Sequence, residues 1–411
     1  MKLRLLILGL LVLSALGGLV VAHAHWLVTG PKDPRFVRFM RRYDRRDSAK
    51  DILPPHGTAI DRRGRPLDIA ESGSTFQHLL DDLQLASDAP VPLTIDAVLQ
   101  EKAEALMKGK NGAVVVLEPA TGRIRALVNA PRAAYLNRPL NGLYPPGSTF
   151  KVFVAAAALS AGLDPVFSCP AAGWRPNRAS PAIRDVEAAE AARRGKTWRG
   201  FGKIGMGEAL MHSSNTYFAQ LGASLGTERF DAAVRAAKLR EPVTLAASRA
   251  TKLSAAAGGV PEGASAAALA PVAIGQGSLQ LSPLAVALVT AAVANDGVML
   301  QPTVLTAAKP ALRARPFTFA ASAQVKKMMR GVVRTGTGRG CDIPGLDVCG
   351  KTGTAQTGKG RDHAWFTCFA PEKSPRLVVT VLVEQGGFGA TAALPVAREL
   401  LRAAQQEGWF E

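Results

Sequence analysis

Tyr144-Pro145-Pro146-Gly147-Ser148-Thr149-Phe150-Lys151 is the stretch that decides how the rest of this chain is read. The Pro-Pro-Gly turn precedes an apolar run through Val152, Val154 and several alanines to Leu159, so a helix is expected to begin at Ser148 and to be buried on most sides. Ser148 and Lys151 are three apart, which on a helix puts both side chains on one face, near enough to share a hydrogen bond. Two more strings follow, Ser213-Ser214-Asn215 and Lys351-Thr352-Gly353. Each alone is weak. S-x-x-K arises by chance in long chains, Ser-Ser-Asn clusters cap helices, and Lys-Thr-Gly is often only a turn. S-x-x-K, S-x-N and K-T-G in that order, widely spaced, make up the set found in serine enzymes that acylate on an amide.

The chemistry explains why these residue types belong together. A serine hydroxyl is a poor nucleophile until a base takes its proton. Lysine can be that base only when neutral, so its ordinary pKa of about 10.4 must fall. Burial in a cleft and a second cation both push it down, and Lys351 is a candidate for that cation. Unpaired backbone N–H groups at a helix start favour negative charge developing at Ser148. Ser213 can relay a proton between the lysines and a leaving amine, and Asn215 can both donate to and accept from a substrate amide. Lys351, Thr352, Gly353 and Thr354 read as an edge strand that could pair with an extended peptide and bind its carboxylate. The backbone N–H groups of Ser148 and Thr354 are then the expected oxyanion hole. His212 and His363 invite an acid–base reading, but no pattern supports a Ser-His-Asp triad, so both are read as structural.

Composition bounds the alternatives. With 411 residues, 47% of them apolar and 20% charged, the chain can bury a large core, and it shows no fixed repeat. Its net charge of +18 admits a nucleic-acid partner, but no zinc-finger spacing or aromatic-basic signature supports one, and a basic surface facing an acidic envelope or anionic lipid is the reading kept. No C-x-x-C or H-E-x-x-H string occurs, so no metal or cofactor is expected. Residues 5–22 carry no charge and follow Lys2 and Arg4, long enough for a membrane span. Ala22-His23-Ala24 also has the form of a cleavage site. An uncleaved signal-anchor over residues 1–24 is the preferred reading, with the rest of the chain exported. The arginines at 35, 38, 41, 42, 45 and 46 argue against that orientation by the positive-inside rule. An exported chain permits disulfides, and Cys341 and Cys349 flank a short Pro-Gly loop. A Cys341–Cys349 bridge is one reading of the four cysteines, and free buried thiols are the other.

Along the chain, residues 25–90 read as a short basic linker with a strand and turn near Asp61-Arg62-Arg63-Gly64 and a helix over about 76–86. Asp96 or Thr94 is expected to cap a helix running to about Gly109. Residues 112–118 and 123–128 flank a Pro-Ala-Thr-Gly turn and read as an antiparallel hairpin. The region 155–310 is Ala-rich, helical and loop-rich. Strands return at 352–357, 363–370 and 377–384, and a helix closes the chain at 394–405. Two early and three late strands with helices between them imply one α/β sheet assembled from distant pieces.

These residues resemble the transpeptidase domain of the penicillin-binding proteins. The likeness extends over roughly 91–405 and includes Leu93-Thr94-Ile95-Asp96, residues 112–131, Gly275-Gln276-Gly277, Leu281-Ser282-Pro283 and Trp365-Phe366. It implies a five-stranded antiparallel sheet flanked by helices, as in serine β-lactamases, within a transpeptidase domain at 91–411. It also implies a D,D-transpeptidase: Ser148 attacks the penultimate D-Ala carbonyl of a peptidoglycan stem peptide, D-Ala leaves, and the acyl group passes to a neighbouring amine. β-Lactams would inhibit it covalently. Too few residues precede the domain for a glycosyltransferase, so the layout is similar to the monofunctional class B type with its pedestal cut down to 25–90. The resemblance further implies residence in the cytoplasmic membrane with the catalytic part outside, and a multi-spanning glycan polymerase as partner. Competing outcomes of the same motifs are a β-lactamase, a β-lactam sensor, a D,D-carboxypeptidase and an idle scaffold. Asn215 and the length argue against the class D β-lactamases, and the short N-terminus leaves no room for a sensor's output domain.

Overall fold

In the computed structural model, residues 58–68, 75–87, 89–132, 136–358 and 360–411 are described. The expected signal-anchor and most of the basic linker lie outside them. Among the described residues no helix is long and apolar enough to cross a membrane.

Five strands, β1 (Gly112–Leu117), β2 (Ile124–Ala130), β3 (Cys349–Ala355), β4 (His363–Ala370) and β5 (Leu377–Val383), form one antiparallel sheet in the order β3-β4-β5-β1-β2. β1 shows why the sheet is central. All its residues are buried, yet they serve two layers: Val114 and Val116 join one core, Val115 and Leu117 the other. The alternation of successive side chains explains this, and it turns a strand covered on both faces into a continuous apolar run.

Among the described residues, the helices that frame the sheet include α1 (Ala97–Met107), α2 (Lys151–Ser160), α3 (Val186–Arg193), α4 (Asn215–Ala236), α5 (Pro283–Ala294), α6 (Phe319–Arg334) and α7 (Leu394–Gln406). α1 and α7 cover one face with Leu99, Met107, Leu400 and Leu401. α5 packs on the other face against β1, β4 and β5. Its sequence is apolar all round, as a helix enclosed on every side must be, and all twelve residues are buried. Its one hydroxyl is paired: Thr290 bonds the Val286 carbonyl and the Thr367 hydroxyl, which in turn meets Thr380. Asp96 is the N-cap of α1 and accepts from Val98 and Leu99, which settles the choice between Asp96 and Thr94. The region 155–310 also holds two small two-stranded sheets, Phe167–Pro170 with Gly200–Ile204 and Val243–Ala247 with Lys252–Ala255. These are too short and too broken by glycine and charge to carry a period-two signal.

The Asp61-Arg62 turn is fastened to the start of α1 and to the C-terminal segment. Ala59–Ile60 pairs with Pro66–Leu67 and with Val91–Pro92. Arg62 reaches the Asp96 carboxylate at 2.6 Å, and its guanidinium lies 4.4 Å from the centre of the Trp409 ring.

The cysteine reading is corrected toward free thiols. Cys169, Cys341, Cys349 and Cys368 are all free and buried. Cys341 and Cys349 belong to different layers, since Cys349 joins the α5 side of the sheet while Cys341 and Cys368 lie on the α1–α7 side. The sheet separates the two sulfurs that the Pro-Gly loop was expected to bring together.

Candidate active site

The turn carrying Ser148 is held by glycine. Residues Gly147–Phe150 form a 3₁₀ turn and α2 begins at Lys151, so the helix starts three residues later than expected. Pro145 and Pro146 supply no N–H, and Gly147 adopts φ 53, a left-handed conformation that glycine tolerates. The turn is pressed against Gly275: Gly147 N–H donates to the Gly275 carbonyl at 3.0 Å, and a Cβ on Gly275 would fall 1.8 Å from the Gly147 oxygen. Trp365 Nε1 donates to the Pro145 carbonyl at 3.1 Å and fixes the other side. Ser148 itself is half-buried at the cleft.

The three motifs converge. Lys151 and Lys351 are both 0% exposed, a costly place for two ammonium groups. The Lys151 backbone N–H donates to the Ser148 carbonyl, but no hydrogen bond joins the two side chains. Lys151 Nζ donates instead to the Ser213 carbonyl at 2.6 Å and to Asn215 Oδ1 at 2.7 Å, with the Ser213 hydroxyl at 3.4 Å. A buried ammonium takes the strongest acceptors in reach, and a carbonyl and an amide oxygen outbid a hydroxyl. Lys351 Nζ donates to the Ser213 hydroxyl at 2.8 Å and to the Thr352 carbonyl at 2.9 Å. Ser213 thus lies between the two lysines. Burial drives the Lys151 ammonium down to about 7, against the opposing charges of Asp185 and Glu187. Lys351 is pushed well below the ordinary lysine range, by burial first and by the Lys151 charge second. Near neutral pH the pair therefore contains a neutral amine able to accept a proton.

β3 is an edge strand, as Lys351-Thr352-Gly353 requires. Its register is Lys351 against Thr367, Thr352 against Phe366 and Gly353 against Trp365. Gly353 lets the strand approach the Ser148 turn, because a Cβ there would meet Thr149 Cγ2 at 2.9 Å. The Thr354 carbonyl faces the same turn, 2.6 Å from where a Gly147 Cβ would stand. In an antiparallel strand the N–H and C=O of one residue point the same way, so the Thr354 N–H also looks toward Ser148. Hydrogen bonds thus join Lys151, Ser213, Asn215, Lys351 and Thr352, and the turn that carries Ser148 packs against Gly353 and Thr354.

The profile of the penicillin-binding protein transpeptidase domain matches residues 112–402. The chain belongs to the penicillin-binding protein transpeptidase family. The peptidoglycan D,D-transpeptidase PbpA of Mycobacterium tuberculosis H37Rv is 31% identical to it over 91% of this chain and 86% of that protein. The PbpA of Mycolicibacterium smegmatis is 32% identical over 77% and 73%. Among solved structures, the penicillin G acyl-enzyme complex of penicillin-binding protein A from M. tuberculosis superimposes with a TM-score of 0.69 at 27% identity, covering 86% of this chain and 94% of that one.

Around these residues, sequence reasoning missed Thr337 and Asp185, and it quoted Gly147 and Gly275 without their mutual contact. Thr337, in the turn after α6, shares a 2.8 Å hydrogen bond with the Thr352 hydroxyl and donates its N–H to Met211, two residues before Ser213. Gly147 and Gly275 form the backbone contact under the nucleophile turn. Asp185, before α3, bonds to the residues on both sides of Asn215. The only sequence signal for Asp185 is an acidic residue at a helix start. His212 stacks on Phe201 at 5.1 Å, and His363 Nδ1 accepts the Gln385 N–H at 3.1 Å.

Proposed function

We propose that this chain is a peptidoglycan D,D-transpeptidase working through a Ser148 acyl-enzyme. The observation that carries the reading is the chain Lys351–Ser213–Lys151 of short contacts beside Ser148, built from two fully buried lysines. Neutral Lys151 takes the Ser148 proton as the serine oxygen bonds the penultimate D-Ala carbonyl carbon. The N–H groups of Ser148 and Thr354 hold the oxyanion. The C–N bond breaks, Ser213 passes a proton to the leaving amine, and D-Ala departs from the ester. An amine of a neighbouring stem peptide then attacks the ester, gives up a proton to the freed base, and returns the Ser148 hydroxyl. Lys351, Thr352 and the Thr354 hydroxyl bind the substrate carboxylate, and Gly353 keeps the strand close. A β-lactam enters the same path and stops at the ester.

Residues 5–22 are proposed to anchor the chain in the cytoplasmic membrane, with the catalytic domain outside it. A multi-spanning glycan polymerase is the proposed partner, because the stem peptides to be joined are carried on growing glycan. The test is the intact mass of the full-length chain in detergent after mixing with benzylpenicillin. A persistent single adduct that is absent in Ser148→Ala supports a transpeptidase. An adduct that forms and is lost while the drug is consumed makes the protein a β-lactamase. No adduct removes Ser148 from the assigned role.

A further inference from the structure

Asp185 stands at the N-cap position of α3, where an aspartate ordinarily caps its own helix. It makes no such cap. Its side chain turns inward and is only 2% exposed. Oδ1 accepts the Ser214 hydroxyl at 3.0 Å and the Thr216 N–H at 2.9 Å, so the carboxylate holds both neighbours of Asn215. Asn215 is fixed from two further directions: its Nδ2 donates to the Arg184 carbonyl at 3.1 Å, and its Oδ1 accepts from Lys151. Asp185 Oδ2 is buried with no hydrogen-bond partner in the protein. Among the described residues no arginine, lysine or histidine pairs with it within ion-pair distance. A buried carboxylate left without a salt bridge is expensive, and a helix cap alone does not call for it.

We propose that Asp185 is a positioning residue for acyl transfer, locking the Ser214-Asn215-Thr216 turn onto Lys151 and holding an unneutralised negative charge behind that lysine. The inference rests on the reading of Ser148 as nucleophile and Lys151 as its base.

The charges around Lys151 are few. Asp185 and Glu187 face it from the start of α3 and favour its protonated form, while the cationic form of Lys351 on β3 faces it from the other side. Ser213 and Asn215 are its hydrogen-bonding partners, and the Phe218 ring lies 5.7 Å away on α4. Asp185 itself meets Ser214 and Thr216, with the buried Cys169 thiol 3.8 Å from the Ser214 hydroxyl and Glu187 close by on its own helix. Loss of the Asp185 charge thus removes one of two anions that keep the proton on Lys151. The amine then deprotonates at lower pH.

The experiment is the pH dependence of acylation by a fluorescent penicillin, measured on the full-length chain and on Asp185→Asn and Asp185→Glu. Asparagine keeps an oxygen for both donors and loses the charge, whereas glutamate keeps the charge. The expected result is an acid limb shifted to lower pH by half a pH unit or more in Asp185→Asn, on the order of half the Coulombic effect of a close buried charge, and restored in Asp185→Glu. An acid limb that coincides with wild type in Asp185→Asn, whatever the fall in plateau rate, overturns the proposal and leaves Asp185 a structural residue. If Asp185→Asn does not fold, as judged by its melting curve, Asp185→Ser, an uncharged residue that also suits a helix start, takes its place with the same two outcomes. Failure of the wild type to be acylated at all sinks the nucleophile assignment instead, so the two readings fail separately.

Discussion

Lys351 donates to the Ser213 hydroxyl at 2.8 Å while Lys151 holds the carbonyl oxygen of the same residue at 2.6 Å. Ser213 sits in a left-handed conformation, φ 61, at the end of the helix Met206–His212, an uncommon place for a residue with a Cβ. Strain of this kind costs about 1–3 kcal/mol and persists where surrounding structure over-determines it. Here the two lysines do so. Ser213→Ala keeps the backbone and deletes the relay, so acylation by a fluorescent penicillin should slow by about 10²-fold or more, the ordinary worth of a positioned proton-transfer group. Ser213→Gly should be equally slow but melt higher than Ser213→Ala, because glycine relieves the backbone. Wild-type acylation in Ser213→Ala would return the proton relay to the lysines alone.

The second expectation concerns pH. Lys151 must be neutral to act as base, and burial lowers its ammonium to about 7 from the ordinary 10.5. Below that value the amine is protonated and acylation should fall with each pH unit. Above it the rate should level off, rather than climbing toward pH 10 as it would for an unperturbed lysine. Lys151→Arg preserves the charge but cannot give up its proton, so it should be as impaired as Lys151→Ala, with a loss of about 10²–10⁴-fold. A rate that still climbs from pH 8 to pH 10 in the wild type would show that Lys151 keeps an ordinary lysine's affinity for its proton.

A third test addresses the glycine contact. Gly275 has φ +80, and a Cβ there would overlap the Gly147 carbonyl oxygen at 1.8 Å, a backbone atom that cannot step aside. Gly275→Ala should therefore displace the whole nucleophile turn. Acylation should be largely lost and the melting temperature should fall by several degrees, since a strained φ adds about 1 kcal/mol or more to the overlap. Gly162→Ala is the control: it shares the positive φ, +76, with nothing within 4 Å of its Cβ. It should cost stability alone. Equal acylation in the two variants would mean that the Gly147–Gly275 contact does not position Ser148.

Much of this site can be read from the chain because its parts are local. Lys151 is three residues from Ser148, Asn215 two from Ser213, and the Lys351-Thr352-Gly353 strand is contiguous. The central hairpin is equally legible, since Val114, Val115 and Val116 with the Pro-Ala-Thr-Gly turn leave few alternatives. What escaped depends on distance. Gly275 matters only because it meets Gly147 across the fold, and Thr337 only because the turn after α6 passes the Thr352 hydroxyl. Asp185 looks like a helix cap until its side chain is seen to turn away from the helix it begins. The start of α2, at Lys151 rather than Ser148, has a related reason. Helical spacing does not register that residues 147–150 form a tighter 3₁₀ turn whose first N–H donates to the Gly275 carbonyl.

The last prediction separates stability from chemistry at the Arg62–Asp96 contact. Asp96 is fully buried and carries two duties: it caps α1 through Val98 and Leu99 and receives Arg62 at 2.6 Å. Arg62 in turn lies over Trp409, near the C-terminus. None of these atoms touches the cleft. Asp96→Ala deletes the cap and leaves a partly exposed guanidinium without its carboxylate, a combined loss of about 2–3 kcal/mol, smaller than for a wholly buried pair because water reaches Arg62. The melting temperature should drop by about 5 °C in a domain of this size. Acylation per folded molecule should stay within about twofold of wild type, as expected of a site without a share in the chemistry. Asp96→Asn, which preserves a capping oxygen, should recover about half the lost stability. A variant that melts like wild type yet acylates far more slowly would show instead that the Asp61-Arg62 turn communicates with the cleft, through β2 and the sheet, and that its fastening serves more than the fold.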